Sequence, residues 1–204
     1  MEHRIRMLQQ RLAAEGLDAA LLVYSRDVLY YTGTAQPSCL LVTPGDYTLY
    51  VRSGLEFALQ DVFIGREKLL EERRLEKILA GALSRLAGKA GKVGSELDIL
   101  TAEQFEALRK ACPDVTFVNI SPVTLEQRKV KEAGEIERLR RACDAVHAGH
   151  EAVMATLREG VTELELAAAV ENAHRLAGHE GMFFIRLPDF FMSRGPIGAG
   201  PNLS

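Results

Sequence analysis

Hydrophobic and polar positions in the first 120 residues alternate between short apolar runs and helical spacings. The run 18–24 follows an amphipathic opening segment and predicts a buried strand. Pro44-Gly45-Asp46 separates the apolar runs 39–43 and 47–51 and predicts a hairpin, because Pro and Gly suit a tight turn. The later patterns predict helices over 72–86 and 101–112 and strands over 92–95 and 115–120. This mixture predicts an α/β sheet with helical cover.

A long amphipathic helix is predicted in the second half of the chain. From Ile136 to Leu157 the apolar or small positions step by alternating threes and fours, which predicts one helix face turned toward a core. Gly160 is predicted at the C′ position after this helix, since glycine adopts the left-handed conformation without a Cβ penalty.

A second helix is predicted directly after the first. Thr162 is predicted as its N-cap, and Glu165 stands three residues on, so the two side chains form a capping box. The helix is expected from about Glu163 to Ala177, ending at Gly178. The run 182–187 then predicts a strand.

Composition and charge narrow the classes of function. The chain has 204 residues, 47% of them hydrophobic and 26% charged, which predicts a folded core rather than disorder. A net charge of -3 gives no electrostatic reason to expect nucleic acid or a membrane surface as a partner. Residues 1–12 interleave charged and apolar side chains, so no secretion signal is predicted and a cytoplasmic location is expected. The three cysteines are far apart and predict neither a disulfide framework nor a zinc ribbon.

One helical face carries candidate metal ligands. Cys143, His147, His150 and Met154 are spaced by four, three and four residues, which places them on one side of the long helix. A thiolate and imidazoles are ligands for zinc or haem iron. We favour a structural interpretation, with Cys143 and His150 in the core and His147 at its margin, because a closed zinc site needs about four ligands. His174 and His179 are predicted to face solvent.

Three motifs carry a resemblance to a known family. The first is Arg128-x-x-Lys131-x-x-x-Glu135-Ile136-x-x-Leu139-Arg140-x-Ala142, and the second is Glu159-Gly160-x-Thr162-Glu163-x-Glu165-Leu166-Ala167. The third, residues 27–33, is similar to an Asn-Ile-Arg-Tyr-Leu-Thr-Gly loop, with Asp27 for the usual Asn and Tyr31 for the usual Leu. In this order and spacing they resemble the pita-bread metallopeptidases, which include Xaa-Pro dipeptidase (prolidase), aminopeptidase P and the non-peptidase creatinase.

The resemblance implies a fold and a division of the chain. It implies a creatinase-type N-terminal domain over residues 1–123, a mixed sheet with flanking helices. The incomplete start of a pita-bread α+β catalytic domain follows over residues 124–204. The boundary is predicted at the corner formed by Ser121 and Pro122.

The resemblance also implies an activity. A complete family enzyme cleaves Xaa-Pro peptide bonds with a pair of divalent metal ions, expected to be manganese, cobalt or zinc. In the family, the metal ligands follow a Ser-Gly-x-Asn turn, which residues 198–202 resemble with Ala199 in place of Ser. No catalytic residue and no metal ligand can therefore be carried over to this chain, which alone is expected to be inactive and to bind no metal.

The segment 25–33 supplies the candidate substrate residues. In the resembling family the N-terminal domain forms a homodimer, and some of its loops reach the partner subunit's active site. The resemblance implies that Arg26 anchors a substrate carboxylate and that Tyr30 and Tyr31 form walls around a peptide. The competing interpretation, which we favour for any single residue, is that the tyrosines fill the core edge and Gly33 permits a turn.

Two other functions remain open on the same residues. The chain fits a metal-free relative that acts as a binding or scaffold module, and it fits a creatinase-like amidinohydrolase. Self-association is expected in each case, because the stripe from Ile136 to Leu157 needs cover from another copy or from the N-terminal sheet.

Overall fold

A computed structural model describes residues 2–74, 77, 78, 81, 91–181, 183–186, 191, 192 and 197–203. The chain forms two compact units, Met1–Val130 and Lys131–Ser204. Each unit is described by itself.

The first unit is built on a six-stranded mixed sheet with the order β4-β3-β2-β1-β5-β6. Its strands are β1 (Ala19–Leu22), β2 (Ser38–Val42), β3 (Tyr47–Val51), β4 (Leu69–Glu71), β5 (Lys92–Ser95) and β6 (Thr116–Asn119). Strand β2 runs antiparallel to both of its neighbours, and every other neighbouring pair is parallel. The predicted mixed α/β sheet is confirmed.

The predicted hairpin is present as β2 and β3. Val42 pairs with Tyr47, and the Thr43 N–H donates to the Asp46 carbonyl at 2.8 Å across the turn. The strands predicted at 18–24, 92–95 and 115–120 appear as β1, β5 and β6. Most of the helix predicted over 72–86 lies outside the described residues.

Helices cover both faces of this sheet. They are α1 (His3–Ala14), α2 (Ser25–Thr32), α3 (Leu55–Asp61), α4 (Ala102–Ala111) and α5 (Ser121–Lys129). On one face Leu22 packs in a cluster with residues of α1, α2 and α5, and on the other Leu21 packs in a cluster with Leu108 of α4. All four residues of β1 are buried. This two-sided burial explains why β1 is an unbroken apolar run.

Helix α2 corrects one expectation. The segment that resembles a family loop is helical from Ser25 to Thr32. It ends because Gly33 adopts a positive φ of 97° and its N–H donates to the Leu29 carbonyl at 2.9 Å. A Cβ at Gly33 would lie 2.6 Å from Cδ1 of Phe63, so the position requires glycine for space as well.

The first unit ends later than the predicted boundary between residues 123 and 124. That position lies inside α5, whose Val123 belongs to the same buried cluster as Leu8 of α1. Because α5 packs in this core, the unit extends to Val130.

The second unit is a helical hairpin followed by short extended segments. Its elements are α6 (Ala133–Thr156), α7 (Glu163–Leu176), β7 (Phe183–Phe184), β8 (Phe191–Met192) and a 3₁₀ turn (Gly200–Leu203). Both predicted helices are confirmed. Gly149 marks a close approach of α6 to α7, since a Cβ there would lie 2.0 Å from Nε2 of His174.

The ends of these helices agree only partly with the sequence prediction. Thr162 accepts from the Glu165 N–H at 3.2 Å, so the predicted capping box is present. Gly178 follows α7 with a φ of 96°, as expected of its end. Gly160 also has a positive φ, 84°, but α6 already ends at Thr156, so Gly160 is not its C′ residue. It lies in the turn that leads to α7.

The apolar face of α6 is not covered. Within the described residues Gly149 is the buried residue of α6, whereas Leu139 is 51% exposed and Val146 is 65% exposed. The expectation of a face turned toward a core is therefore wrong for these positions of the second unit, although Val153 on the same stripe is half-buried. None of the described helices is both long enough and apolar enough to cross a membrane.

Candidate functional site

A buried ion pair joins α2 to α5. Asp27, in the first turn of α2, is fully buried, and its Oδ1 accepts from Nη1 of Arg128 at 2.5 Å. Its Oδ2 accepts from the Thr124 hydroxyl at 3.3 Å. The Asp27 carboxylate is thus compensated by α5, as a buried charge must be.

Tyr31 extends this connection to α1. Its side chain is fully buried, and its hydroxyl donates to Oε1 of Gln127 at 3.1 Å. Nε2 of Gln127 donates in turn to the Arg4 carbonyl at 2.8 Å. Burial and the neighbouring Tyr30 raise the pKa of Tyr31 well above its usual range, so its phenol stays protonated.

Tyr30 lies beside Tyr31 and is half-buried. The two rings meet edge to face with centroids 5.0 Å apart, and the Arg4 guanidinium lies 4.2 Å from the Tyr30 centroid. Arg4 also donates from Nη1 to the Tyr30 carbonyl at 2.8 Å. Arg26, in the first turn of α2, is half-buried.

Glu96 follows β5 directly and contacts the backbone that leads from β1 into α2. Its Oε2 accepts from the backbone N–H groups of Val23 at 2.6 Å and Tyr24 at 3.1 Å. Within the described part of the chain, the buried Oε1 has no hydrogen-bond partner. Burial first, and the neighbouring Asp27 carboxylate second, raise the pKa of Glu96 to about 9. A carboxyl group at this position is therefore protonated at neutral pH.

Two of the three candidate substrate residues, Tyr30 and Tyr31, pack against other residues of the first unit. Tyr30 and Tyr31 both contact Gln127 or Arg4 inside the first unit. This arrangement favours the interpretation in which the tyrosines fill the core edge. Contact of Arg26, Tyr30 or Tyr31 with a substrate stays a prediction.

Sequence reasoning missed the ionic part of this network. Asp27 was visible as a departure from the Asn of the similar family loop, and Arg128 opened the first motif. No local pattern connects residues 101 positions apart. The burial of Glu96 was not predictable from the sequence, because an acidic residue directly after a strand is common in surface loops.

The thiol and imidazole side chains on α6 are arranged differently from the structural interpretation. Cys143, His147 and His150 are all exposed, so the expected core packing is wrong. Nε2 of His147 lies 3.5 Å from Oε1 of Glu151 on the same helix. The cause is again the uncovered face of α6.

The histidines near the end of α7 are less exposed than predicted. His174 and His179 are half-buried, and their rings meet edge to face at 6.1 Å. His174 lies against Gly149 of α6, where the absent Cβ leaves room for the imidazole.

The described residues do not fit a metal pair. Searched over the described ranges, the chain has no group of three or more His, Cys, Asp and Glu side chains that would hold an ion. No metal-dependent step is therefore assigned to them.

Comparisons with known proteins define the class. Residues 4–130 match the Creatinase/Prolidase N-terminal domain, and residues 137–202 match Metallopeptidase family M24. The chain belongs to the creatinase/prolidase family.

Individual relatives and solved structures agree with this assignment. The chain is 27% identical over 184 residues to an Xaa-Pro dipeptidase of Pyrococcus horikoshii, covering 88% of this chain and 50% of that protein. The fold is similar to an Xaa-Pro dipeptidase from Bacillus anthracis, with a TM-score of 0.79, 23% identity, and coverage of 89% of this chain and 51% of that one. It is also similar to the N-terminal domain of the cytoplasmic peptidase PepQ from Mycobacterium tuberculosis, with a TM-score of 0.54, 26% identity, and coverage of 62% and 99%. The chain thus spans about half the length of the curated dipeptidase that it matches.

Proposed function

We propose that this chain is the N-terminal portion of an Xaa-Pro dipeptidase or aminopeptidase P-like metallohydrolase. The observation that carries the proposal is the match to the Xaa-Pro dipeptidase of Pyrococcus horikoshii, which extends over both units. The substrate class is a dipeptide or short peptide with proline after the scissile bond. A cytoplasmic location belongs to the same proposal, supported by the similarity to a peptidase described as cytoplasmic.

The activity is tested on the longest open reading frame that contains this sequence. We expect hydrolysis of an Xaa-Pro dipeptide that is lost on chelation and restored by manganese, cobalt or zinc. A matched Xaa-Ala dipeptide and creatine are the control substrates. Metal-free cleavage of creatine would indicate an amidinohydrolase, and absence of all turnover would indicate a binding or scaffold module.

The chain of 204 residues is proposed to be inactive by itself. The support is that its described residues do not fit a metal pair. Incubation with Xaa-Pro dipeptides and an excess of each of the three metals should give no turnover. Turnover that survives repurification and scales with the concentration of the chain would contradict this.

Arg26 is proposed as the substrate contact of α2. Tyr31 is fully buried and Tyr30 packs on Arg4, whereas Arg26 is a half-buried, long cation in the first turn. In the active open reading frame, Arg26→Gln should raise KM for a dipeptide with a free carboxylate and leave KM for its amide unchanged. Arg66→Gln, which removes an exposed arginine elsewhere on the first unit, is the matched control. Equal KM changes for both substrates would contradict a carboxylate contact.

A homodimer is also proposed, with a second copy covering part of the α6 stripe. The support is the exposed apolar series that includes Leu139, Val146 and Leu157. Light scattering at micromolar concentration should give a mass above that of one chain. The double variant Leu139→Gln with Val146→Gln should lower that mass. A monomer mass for the unmodified chain would contradict the proposal.

A further inference from the structure

The strands of the first unit define an edge where a ligand crevice is expected. Strands β1, β3 and β5 run in one direction and end at the same edge, and the antiparallel β2 begins there. Strands β1 and β5 are parallel neighbours inside the sheet, and neither is an edge strand. In open α/β sheets, ligands bind outside the carboxyl ends of such strands.

The connections leaving β1 and β5 diverge. From β1 the chain passes through α2, whose Tyr31 lies in the same cluster as Leu22, and continues to β2. From β5 it passes through α4, whose Leu108 lies with Leu21 on the opposite face, and continues to β6. The connection after β1 runs over one face of the sheet to β2, and the connection after β5 runs over the opposite face to β6, on the other side of the pair. The position between the ends of β1 and β5 is therefore a topological switch point, where ligands bind in open α/β sheets.

A crevice of about 330 Å³ lies at this edge. That volume is at the lower end of the range for small-molecule sites. Its walls come from the ends of the strands just named: Val23 and Ser25 after β1, Ser38 and Cys39 at the start of β2, Arg52 after β3, and Ile99 and Leu100 after β5. Gln104 of α4 completes it. None of its described lining residues is Asp or Glu.

The polar groups of the crevice are mainly donors. Arg52 supplies a guanidinium whose Nε donates to the Arg73 carbonyl at 3.3 Å, which orients the planar group. Oε1 of Gln104 already accepts from the Thr101 N–H at 3.1 Å, so the amide presents its NH₂ end to a ligand. Ser25 adds a hydroxyl.

The Cys39 thiol and the Glu96 carboxyl add no negative charge beside the crevice at neutral pH. Burial raises the pKa of the Cys39 thiol to about 12, and the raised pKa of Glu96, about 9, keeps that carboxyl neutral. Arg52 is thus the charged side chain among the described lining residues. The side chains of Ile99 and Leu100 provide an apolar wall beside it.

We propose that this crevice binds a small carboxylic acid with a short branched apolar chain. The carboxylate would lie against the Arg52 guanidinium in a bidentate pair, and the apolar chain would lie on Ile99 and Leu100. The site is built entirely from the first unit and does not depend on peptidase activity.

The test is NMR titration of the full chain of 204 residues with labelled Ile and Leu methyl groups. The probes are 4-methylpentanoate, its uncharged amide and inorganic phosphate. We expect 4-methylpentanoate to give saturable shifts at Ile99 and Leu100, with weaker binding of the amide and of phosphate. The amide comparison uses the unmodified chain, so it does not depend on the folding of any variant.

Two matched variants locate the carboxylate. Arg52→Gln should weaken binding of 4-methylpentanoate at least about tenfold, because a charge-assisted pair is lost. Arg66→Gln should leave the affinity unchanged. The proposal is overturned by an absence of saturable shifts, by equal binding to the Arg52→Gln variant, or by equal binding of the amide. Phosphate binding as strong as that of 4-methylpentanoate would also overturn it, since phosphate has no apolar group.

Discussion

The two units use the same kinds of apolar residue in opposite ways. In the first unit Leu21, Leu22 and Leu40 are fully buried, because helices cover both faces of a sheet. In the second unit the long helix α6 exposes Leu139 and Val146. An amphipathic pattern predicts which face of a helix or strand is suited to burial. The residues that bury this face must come from another part of the protein or from a partner.

The charged residues differ in the same sense. The first unit buries Asp27 and compensates it with Arg128 across 101 positions of sequence. The ion pairs of α6 are local and exposed, as in the pair of Arg141 with Glu137 one helical turn away. Tertiary packing thus determines the energy of a charge pair in one unit and hardly affects it in the other.

The largest expected difference between the units is in core truncation. Leu22→Ala should lower the free energy of unfolding by about 2–5 kcal/mol, because it leaves a cavity in a closed core. Measured below the concentration at which the chain associates, Val146→Ala on α6 should change it by less than about 0.5 kcal/mol, because that side chain is exposed in the single chain. Urea unfolding of the full chain, followed by circular dichroism, measures both. Equal losses would break the comparison and show that the stripe of α6 is covered.

Removing one partner of an ion pair should give the next largest difference. Arg128→Gln should cost about 2–3 kcal/mol, since it leaves Asp27 buried without its cation, whereas the guanidinium itself is partly exposed. Arg141→Gln should cost less than about 0.5 kcal/mol. Adding Asp27→Asn to Arg128→Gln should restore part of the loss, because no buried charge then remains. A double variant less stable than Arg128→Gln in urea unfolding would contradict this account.

The two perturbed glutamates should respond to pH in opposite directions. The pKa of Glu96 is raised in the folded state from 4.5 to about 9, so its stabilising contribution is complete below about pH 4.5 and is lost as pH rises toward 9. The Thr162 N–H and hydroxyl lower the pKa of Glu165, so its contribution is present above its unfolded pKa and is lost as pH falls.

The matched variants Glu96→Gln and Glu165→Gln isolate these contributions. The stability of the unmodified chain relative to Glu96→Gln should decline with rising pH, by at most about 1.4 kcal/mol per pH unit. Relative to Glu165→Gln it should decline with falling pH. Urea unfolding from about pH 4 to pH 9 measures both series. If the stability of the unmodified chain relative to Glu96→Gln rose with pH instead, the Glu96 carboxyl would be ionised in the folded chain.

The smallest expected effect should be the same in both units. Thr101→Ala and Thr162→Ala each remove one side of a capping box and should each cost about 1 kcal/mol. The expectation is equal because a cap depends on four consecutive residues and not on tertiary cover. Helix content and urea unfolding measure the two variants. A cost at Thr162 several times that at Thr101 would show that the start of α7 has a further partner.

The success of the sequence predictions follows the range of the interactions involved. The hairpin of β2 and β3 and the capping box of Thr162 were predictable, because each depends on residues only a few positions apart. The helical state of 25–32 was missed, because its ends are fixed by Gly33 packing on Phe63 and by Asp27 pairing with Arg128. Within the candidate site, Tyr30 and Tyr31 were named from sequence, whereas Glu96 was found only in the structure.

The sequence by itself determined the hairpin, strands β1, β5 and β6, the two helices of the second unit and the family that the chain resembles. Those features depend on local backbone preference and on hydrophobic period. Only the tertiary structure decided which apolar face is covered, which carboxyl is protonated and where the strands leave a crevice. The same is true of Gly94 and Gly149, where a Cβ would lie 2.5 Å from Ile120 and 2.0 Å from His174. The physical reason is that burial, desolvation and close packing depend on partners far along the chain, which a local pattern does not specify.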